Sequence, residues 1–163
     1  MSTSSLKPLS QSGTNLDILP ASWRDLNELR RLEQECFAHD AWPLFDLLAV
    51  LTLPGIVRLK VEVDQRMAAF IAGDPRPEEQ VGWVTTLAVS PAFRRQGLAS
   101  RLLERCEELM KMNRIRLSVR RSNYAALALY YKHGYHQIDV WQGYYNGGED
   151  ALVLEKERIP IGG

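Results

Sequence analysis

Histidine, cysteine and net charge are what this chain has least of. Its 163 residues include three histidines and two cysteines, and its formal net charge is zero. Three histidines without ligand-like spacing argue against zinc, and no metal is expected. Cys36 and Cys106 fall at apolar positions of predicted helices, which reads as buried free thiols in a reducing compartment. Balanced charge removes the bulk electrostatic case for a nucleic-acid partner. No apolar run approaches the ~20 residues of a membrane span. Met1 to Asn15 is rich in Ser and Thr, has Lys7 as its one basic residue and lacks an apolar core, so it does not read as a signal peptide. A cytoplasmic protein without a membrane partner is the expectation. The GxxxxGK[ST] and GxGxxG nucleotide patterns are absent as well.

What is present suffices for one domain. With 45% apolar residues the chain can bury an ordinary core. We expect a flexible tail over residues 1–14, a single domain over 15–158 and a short tail over 159–163. A strand is expected at Leu16–Leu19, stopped by Pro20. Ser22 and Asp25 form a capping-box pattern that opens a helix with Leu26, Leu29, Leu32, Cys36 and Phe37 on one face. A shorter helix follows at about Leu44–Leu53. Strands are expected at Val57–Val63 and Met67–Ala72, then a loop at 74–78, then an apolar strand at Val81–Val89. Gly97–Met112 is helical, with Leu98, Leu102, Cys106 and Leu109 at the helical repeat. A strand at Ile115–Val119, a helix at Asn123–His133 closed by Gly134 and a hairpin from Tyr135 to Lys156 complete the chain. The order β-α-α-β-β-β-α-β-α-β-β predicts an α/β sandwich with a mixed sheet.

Two constellations carry chemistry. In the first, strand Val81–Val89 leads through Arg94-x-x-Gly97-x-Ala99 into a helix. Such a turn offers unpaired backbone N–H groups and a positive helix end to an anion. Glycine there admits a phosphate without a Cβ in the way. From Arg94 to Arg121 nine lysines and arginines face three glutamates, a net of +6, which suits a small polyanion. A solvated helix face accounts for part of that charge. The second constellation is Asn123-x-x-Ala126-x-x-x-Tyr130. On a helix these residues share a face, and Tyr130 places a phenol where it can protonate a leaving thiolate.

Together with Val119-Arg120-Arg121-Ser122-Asn123 and Gly143-Tyr144-Tyr145-Asn146, these motifs resemble the Gcn5-related N-acetyltransferase (GNAT) superfamily. Within it, the chain is similar to the ribosomal-protein-alanine and amino-terminal Nα-acetyltransferases. The resemblance covers about Leu16 to Lys156. It implies an α/β fold with a mixed, mostly antiparallel sheet of about six or seven strands flanked by about four helices. It implies acetyl-CoA as donor and a protein or peptide amino terminus as acceptor, in a monomer or homodimer. Leu87, Ala88 and Val89 would contact the pantetheine arm and acetyl group, with the Val89 amide as oxyanion donor. Gln96, Gly97, Leu98, Ala99 and Ser100 would hold the pyrophosphate, with Arg94 and Arg95 at the rim. Asn123 and Ala126 would border the pantetheine, and Tyr130 would serve as general acid. Phe37, Trp42, Tyr144 and Tyr145 would line the acceptor groove.

The pattern departs at Ser118, where many relatives carry a Glu or His general base. Asp40 is the first substitute, with Glu35, His39 and His136 behind it. An α-amine of pKa ~7.7–8.0 is roughly a tenth neutral at pH 7, whereas a lysine at ~10.4 is almost wholly protonated. A weak base therefore favours an α-amine acceptor. Two alternatives stay open at this point. One is acetylation of a small amine such as a polyamine, amino acid or aminoglycoside, drawn by Asp40 and Glu149-Asp150. The other is a CoA-binding module without catalysis.

Overall fold

The computed structural model describes residues 16–38 and 40–158; the expected tails over 1–14 and 159–163 lie outside these. β1 (Ile18–Pro20) leads into a 3₁₀ turn at Trp23–Asp25 and then α1 (Leu26–Cys36) and α2 (Leu44–Thr52). The strands β2 (Val57–Val63), β3 (Arg66–Arg76) and β4 (Val81–Val89) precede α3 (Leu98–Met110). β5 (Arg114–Arg120), α4 (Tyr124–Lys132), β6 (His136–Trp141) and β7 (Ala151–Glu157) follow. The seven strands form one sheet in the order β1-β2-β3-β4-β5-β7-β6. Every neighbouring pair is antiparallel except β4 and β5.

The capping box is formed: the Ser22 N–H donates to the Asp25 carboxylate at 2.8 Å. Pro20 is the last residue of β1 instead of its stop, paired with Leu59. An edge strand tolerates the missing donor. The expected loop at 74–78 is largely strand, because β3 continues through Asp74, Pro75 and Arg76 against β4. β2 pairing ends at Gly73, so Pro75 sits where β3 has become an edge and needs no donor on that side.

Two cores sandwich the sheet. α1 and α2 cover one face through Leu29, Leu32, Leu47 and Leu51 against Met67, Phe70 and Ala88. On the other face α3 and α4 pack Leu102, Leu103, Cys106, Met110, Leu127 and Tyr130 onto Ile71, Val84, Ile115 and Leu117. Leu109, expected on the buried stripe of α3, is partly exposed, and Met110 takes its place. α3 sits very close to the sheet: an ideal Cβ on Gly73 would lie 2.6 Å from both Cys106 Sγ and Met110 Sδ. Cys106 is buried as expected and its thiol is pushed up to about 12 by burial. Cys36 is only half-buried, at the C-terminal end of α1 beside β4.

Candidate active site

β4 and β5 pair over only three residues, Val81↔Arg114, Gly82↔Ile115 and Trp83↔Arg116. Beyond Trp83 they part. The gap is a cavity of about 170 Å³ bounded by residues of β4 and β5, by Glu33, Phe37, Asp40 and Trp42 on one side, and by Asn123, Ala126, Tyr130 and Tyr145 on the other. A parallel pair that separates leaves the inner edge of each strand with free peptide groups.

The phase of the β3–β4 ladder decides which groups those are. Ser90 N–H donates to Ala68 O at 2.8 Å. Alternate residues of an antiparallel ladder bond across it, so Ala88 faces β3 while Leu87 and Val89 turn their peptide groups toward the gap. The Val89 carbonyl is already occupied: Arg94 Nε donates to it at 3.1 Å and the Cys36 thiol at 3.3 Å. Ala88 therefore differs from its two neighbours. Its backbone belongs to the ladder and its side chain lies under α1 and α2.

The turn into α3 adopts the conformation that its glycine permits. Gly97 has φ +77° and caps the helix, and a Cβ there would meet nothing within 4 Å. The first intrahelical donor is Arg101 N–H, to Gly97 O. The N–H groups of Leu98, Ala99 and Ser100 are therefore left without helical acceptors. Arg94, Arg95, Gln96 and Gly97 are exposed around them. The Ser100 hydroxyl is 3.0 Å from His133 Nε2, which ties the start of α3 to the end of α4. The local charge excess is smaller than the sequence count, because Arg116, Arg120 and Arg121 are ion-paired with Glu155, Asp40, Glu149 and Asp150.

Asn123 is the N-cap of α4, its side-chain oxygen accepting from Ala126 N–H at 3.2 Å. About two turns later Tyr130 is buried with its ring edge-on to Tyr135, 5.7 Å between centroids. Its hydroxyl bonds to no described residue. Burial, with Tyr145 nearby, holds the Tyr130 phenol above its ordinary pKa, so it stays protonated. Tyr145 Oη donates to Ser118 Oγ at 3.4 Å across the cavity. Tyr144 does not reach the cavity. It lies on the surface, edge-on to Tyr145 and tilted against Trp141.

Asp40 reaches the cavity wall but is not free. Arg120 Nε and Nη2 donate to its two oxygens at 2.5 and 2.7 Å, and Arg120 Nη1 donates to Glu149 at 2.6 Å. The guanidinium also lies over the Tyr145 ring at 4.7 Å. Arg120 thus ties the segment between α1 and α2 to the β6–β7 connection. Both Asp40 oxygens accept from this guanidinium, so the carboxylate also serves as a structural tie between the two segments. Glu35 is likewise engaged, by Ser90 and Arg31, and His136 is exposed on β6 away from the cavity. His39 lies outside the described residues.

Sequence reasoning passed over Glu33. It sits on the apolar stripe of α1 between Leu29, Leu32 and Cys36, is 1% exposed and lines the cavity. A charged residue inside an apolar helical stripe was the available signal.

Comparison with known proteins bears on this geometry. Residues 22–135 match the Acetyltransferase (GNAT) family. The chain is 42% identical over 79 residues to the N-alpha-acetyltransferase of Saccharolobus solfataricus, covering 46% of this chain and 47% of that protein. It is 34% identical over 110 residues to N-alpha-acetyltransferase 20 of Dictyostelium discoideum, covering 63% of each. The chain thus spans about half and somewhat under two thirds of these two relatives. Its fold superposes on the crystal structure of the ribosomal-protein-S18-alanine N-acetyltransferase of Escherichia coli with a TM-score of 0.80 and 26% identity, over 90% of this chain and 96% of that one. With a family match across most of its length and the parted β4–β5 pair in its sheet, this chain belongs to the GNAT family of acetyltransferases.

Proposed function

We propose that this protein transfers the acetyl group of acetyl-CoA to the α-amine of a protein or peptide amino terminus. The observation that carries the reading is the cavity between β4 and β5. It has free peptide edges on its strand walls, and the buried Tyr130 phenol and the aromatic side chains Phe37, Trp42 and Tyr145 line it. The chain's likeness to Nα-acetyltransferases supports the choice of acceptor.

The turn into α3 fits a pyrophosphate: three free N–H groups, a positive helix end and an open Gly97. Bound there, acetyl-CoA supplies an activated thioester. Leu87, which lines the cavity, and Val89 beyond it would present peptide groups to it, and the Val89 N–H would stabilise negative charge on the acetyl oxygen. Asn123 and Ala126 give α4 a narrow flank beside the pantetheine arm. Tyr130, kept protonated by burial, donates a proton to the departing thiolate. Phe37, Trp42 and Tyr145 enclose the acceptor's first residue, while Tyr144 lies further out. Arg120 holds the two sides of that groove together.

The small-amine alternative loses part of its support. Of the carboxylates that would attract a polycation, Asp40 and Glu149 share the single charge of Arg120, which leaves one net negative charge, and Asp150 pairs with Arg121. The test is thiol release from acetyl-CoA against peptides with free and blocked amino termini, a lysine peptide, spermine and kanamycin. Turnover confined to free amino termini is expected. Preferential turnover of spermine or kanamycin overturns the acceptor, and CoA binding without any turnover overturns the enzymatic reading.

A further inference from the structure

The base that Ser118 cannot supply has a candidate on the opposite wall. Glu33 is the buried carboxylate of the cavity. Thr86 Oγ1 donates to its Oε1 at 2.9 Å, and Oε2 accepts from no described residue. Thr86 belongs to β4, next to Leu87, so the carboxylate sits beside the strand whose peptide groups face the gap. The titratable or charged groups on the surrounding walls are Asp40, Arg120, Tyr130 and Tyr145, with Cys36 next along α1. Arg120 is committed to Asp40 and Glu149, and no ion pair reaches Glu33 among the described residues. A desolvated carboxylate with one hydrogen bond and no cation lacks what normally stabilises its charge.

We propose that Glu33 is the catalytic base that takes the proton from the acceptor α-ammonium, an assignment that rests on the function proposed above. Glu33 accepts one proton and leaves a neutral amine. The nitrogen lone pair forms the C–N bond to the acetyl carbon as the C–S bond breaks. Tyr130 protonates the leaving thiolate and regains a proton from the nascent amide nitrogen. Glu33 then releases its proton to water. Atoms and charge balance with no further reactant. Burial raises the Glu33 pKa and the Thr86 hydrogen bond opposes the rise, which brings this carboxyl closer to working pH than an exposed one.

The test is the pH dependence of kcat/KM for wild type and Glu33→Gln with a free-amino-terminus peptide. With Glu33 present, the protonated amine is a productive substrate. Without it, only the neutral fraction reacts, roughly a tenth at pH 7 and most of it at pH 9. The ratio of wild type to E33Q should therefore fall about tenfold between pH 7 and 9. Acetyl-CoA binding should stay within about twofold, since general-base loss leaves donor contacts intact. A ratio that is flat with pH, whatever its size, means Glu33 only supports the fold and overturns the assignment. Thr86→Val provides a second check. Loss of its hydrogen bond should raise the Glu33 pKa further and move the acid limb of kcat/KM to higher pH; an unmoved limb also counts against the proposal. Wild-type protein that acetylates no peptide overturns the function itself, a result distinct from a flat ratio.

Discussion

Replacing Tyr130 with Phe separates chemistry from folding unusually cleanly. The hydroxyl bonds to no described residue, so its removal breaks no hydrogen bond among the described residues. The ring is 8% exposed and packs edge-on to Tyr135, and Phe keeps those contacts. Thermal stability should therefore change little. If the phenol protonates the leaving thiolate, its loss should lower kcat roughly 10²-fold, about 2.7 kcal/mol of transition-state stabilisation. The Kd for CoA should stay nearly constant, because the proposed pyrophosphate site is at the start of α3. A pH argument sharpens the case. Burial raises the Tyr130 pKa, so the acid form persists beyond the ordinary phenol value of about 10. Wild-type kcat should show no alkaline loss from this group up to about pH 10. Thiol-release kinetics with calorimetric CoA titration measures both quantities. A loss in kcat below threefold would refute the acid role, and an equal loss in CoA affinity would show that the phenol only binds.

Two further substitutions probe the frame around the site. Gly73→Ala puts a Cβ 2.6 Å from Cys106 Sγ and Met110 Sδ. Met110 can shift, but Cys106 is short and buried, so α3 must lift. Overpacking of this kind costs about 1–3 kcal/mol, which for a chain of this size lowers Tm by roughly 2–12 °C; an unchanged Tm contradicts the close packing. Arg120→Lys removes the planar fork that binds Asp40 through two nitrogens while reaching Glu149. The acceptor KM should rise several-fold with the acetyl-CoA KM unchanged, and an unaltered acceptor KM would show that Arg120 does not shape the groove.

How much of this was legible in the sequence depended on whether the signal was local. The strand Val81–Val89, the capped helix at Asn123 and the Gly97 turn announce themselves by β-propensity, a cap residue and a glycine with positive φ. Strand register does not. The loop expected at 74–78 failed because a proline normally ends a strand. Only the pairing shows that β2 stops at Gly73 and leaves Pro75 at an edge. The resemblance grouped Ala88 with Leu87 and Val89, whereas the phase of the β3–β4 ladder turns its peptide groups the other way. The charge count over residues 94–121 was correct as arithmetic and misleading as electrostatics, since partners for Arg116, Arg120 and Arg121 arrive from distant segments.

The same distinction governs the two carboxylates that compete for the proton. Asp40 is attractive in the sequence because it stands in a loop that can face a substrate, and Glu33 is easily passed over there because a glutamate on a helix is usually solvated, although it falls on the apolar stripe of α1. Tertiary structure reverses both. Arg120 delivers two charge-assisted hydrogen bonds to Asp40, so that carboxylate already has a cationic partner. Glu33, swung inward by the helical repeat that buries Leu29 and Leu32, meets one threonine and no cation. For Glu33, proton uptake relieves a buried charge at the cost of one hydrogen bond. The proposed preference for an α-amine follows from the same balance. A lone, partly stabilised carboxylate can deprotonate a group of pKa near 8 but gains little against one near 10.4. Lysine acetylation by this site should accordingly be the slower reaction at neutral pH, with the gap narrowing as pH rises toward 10.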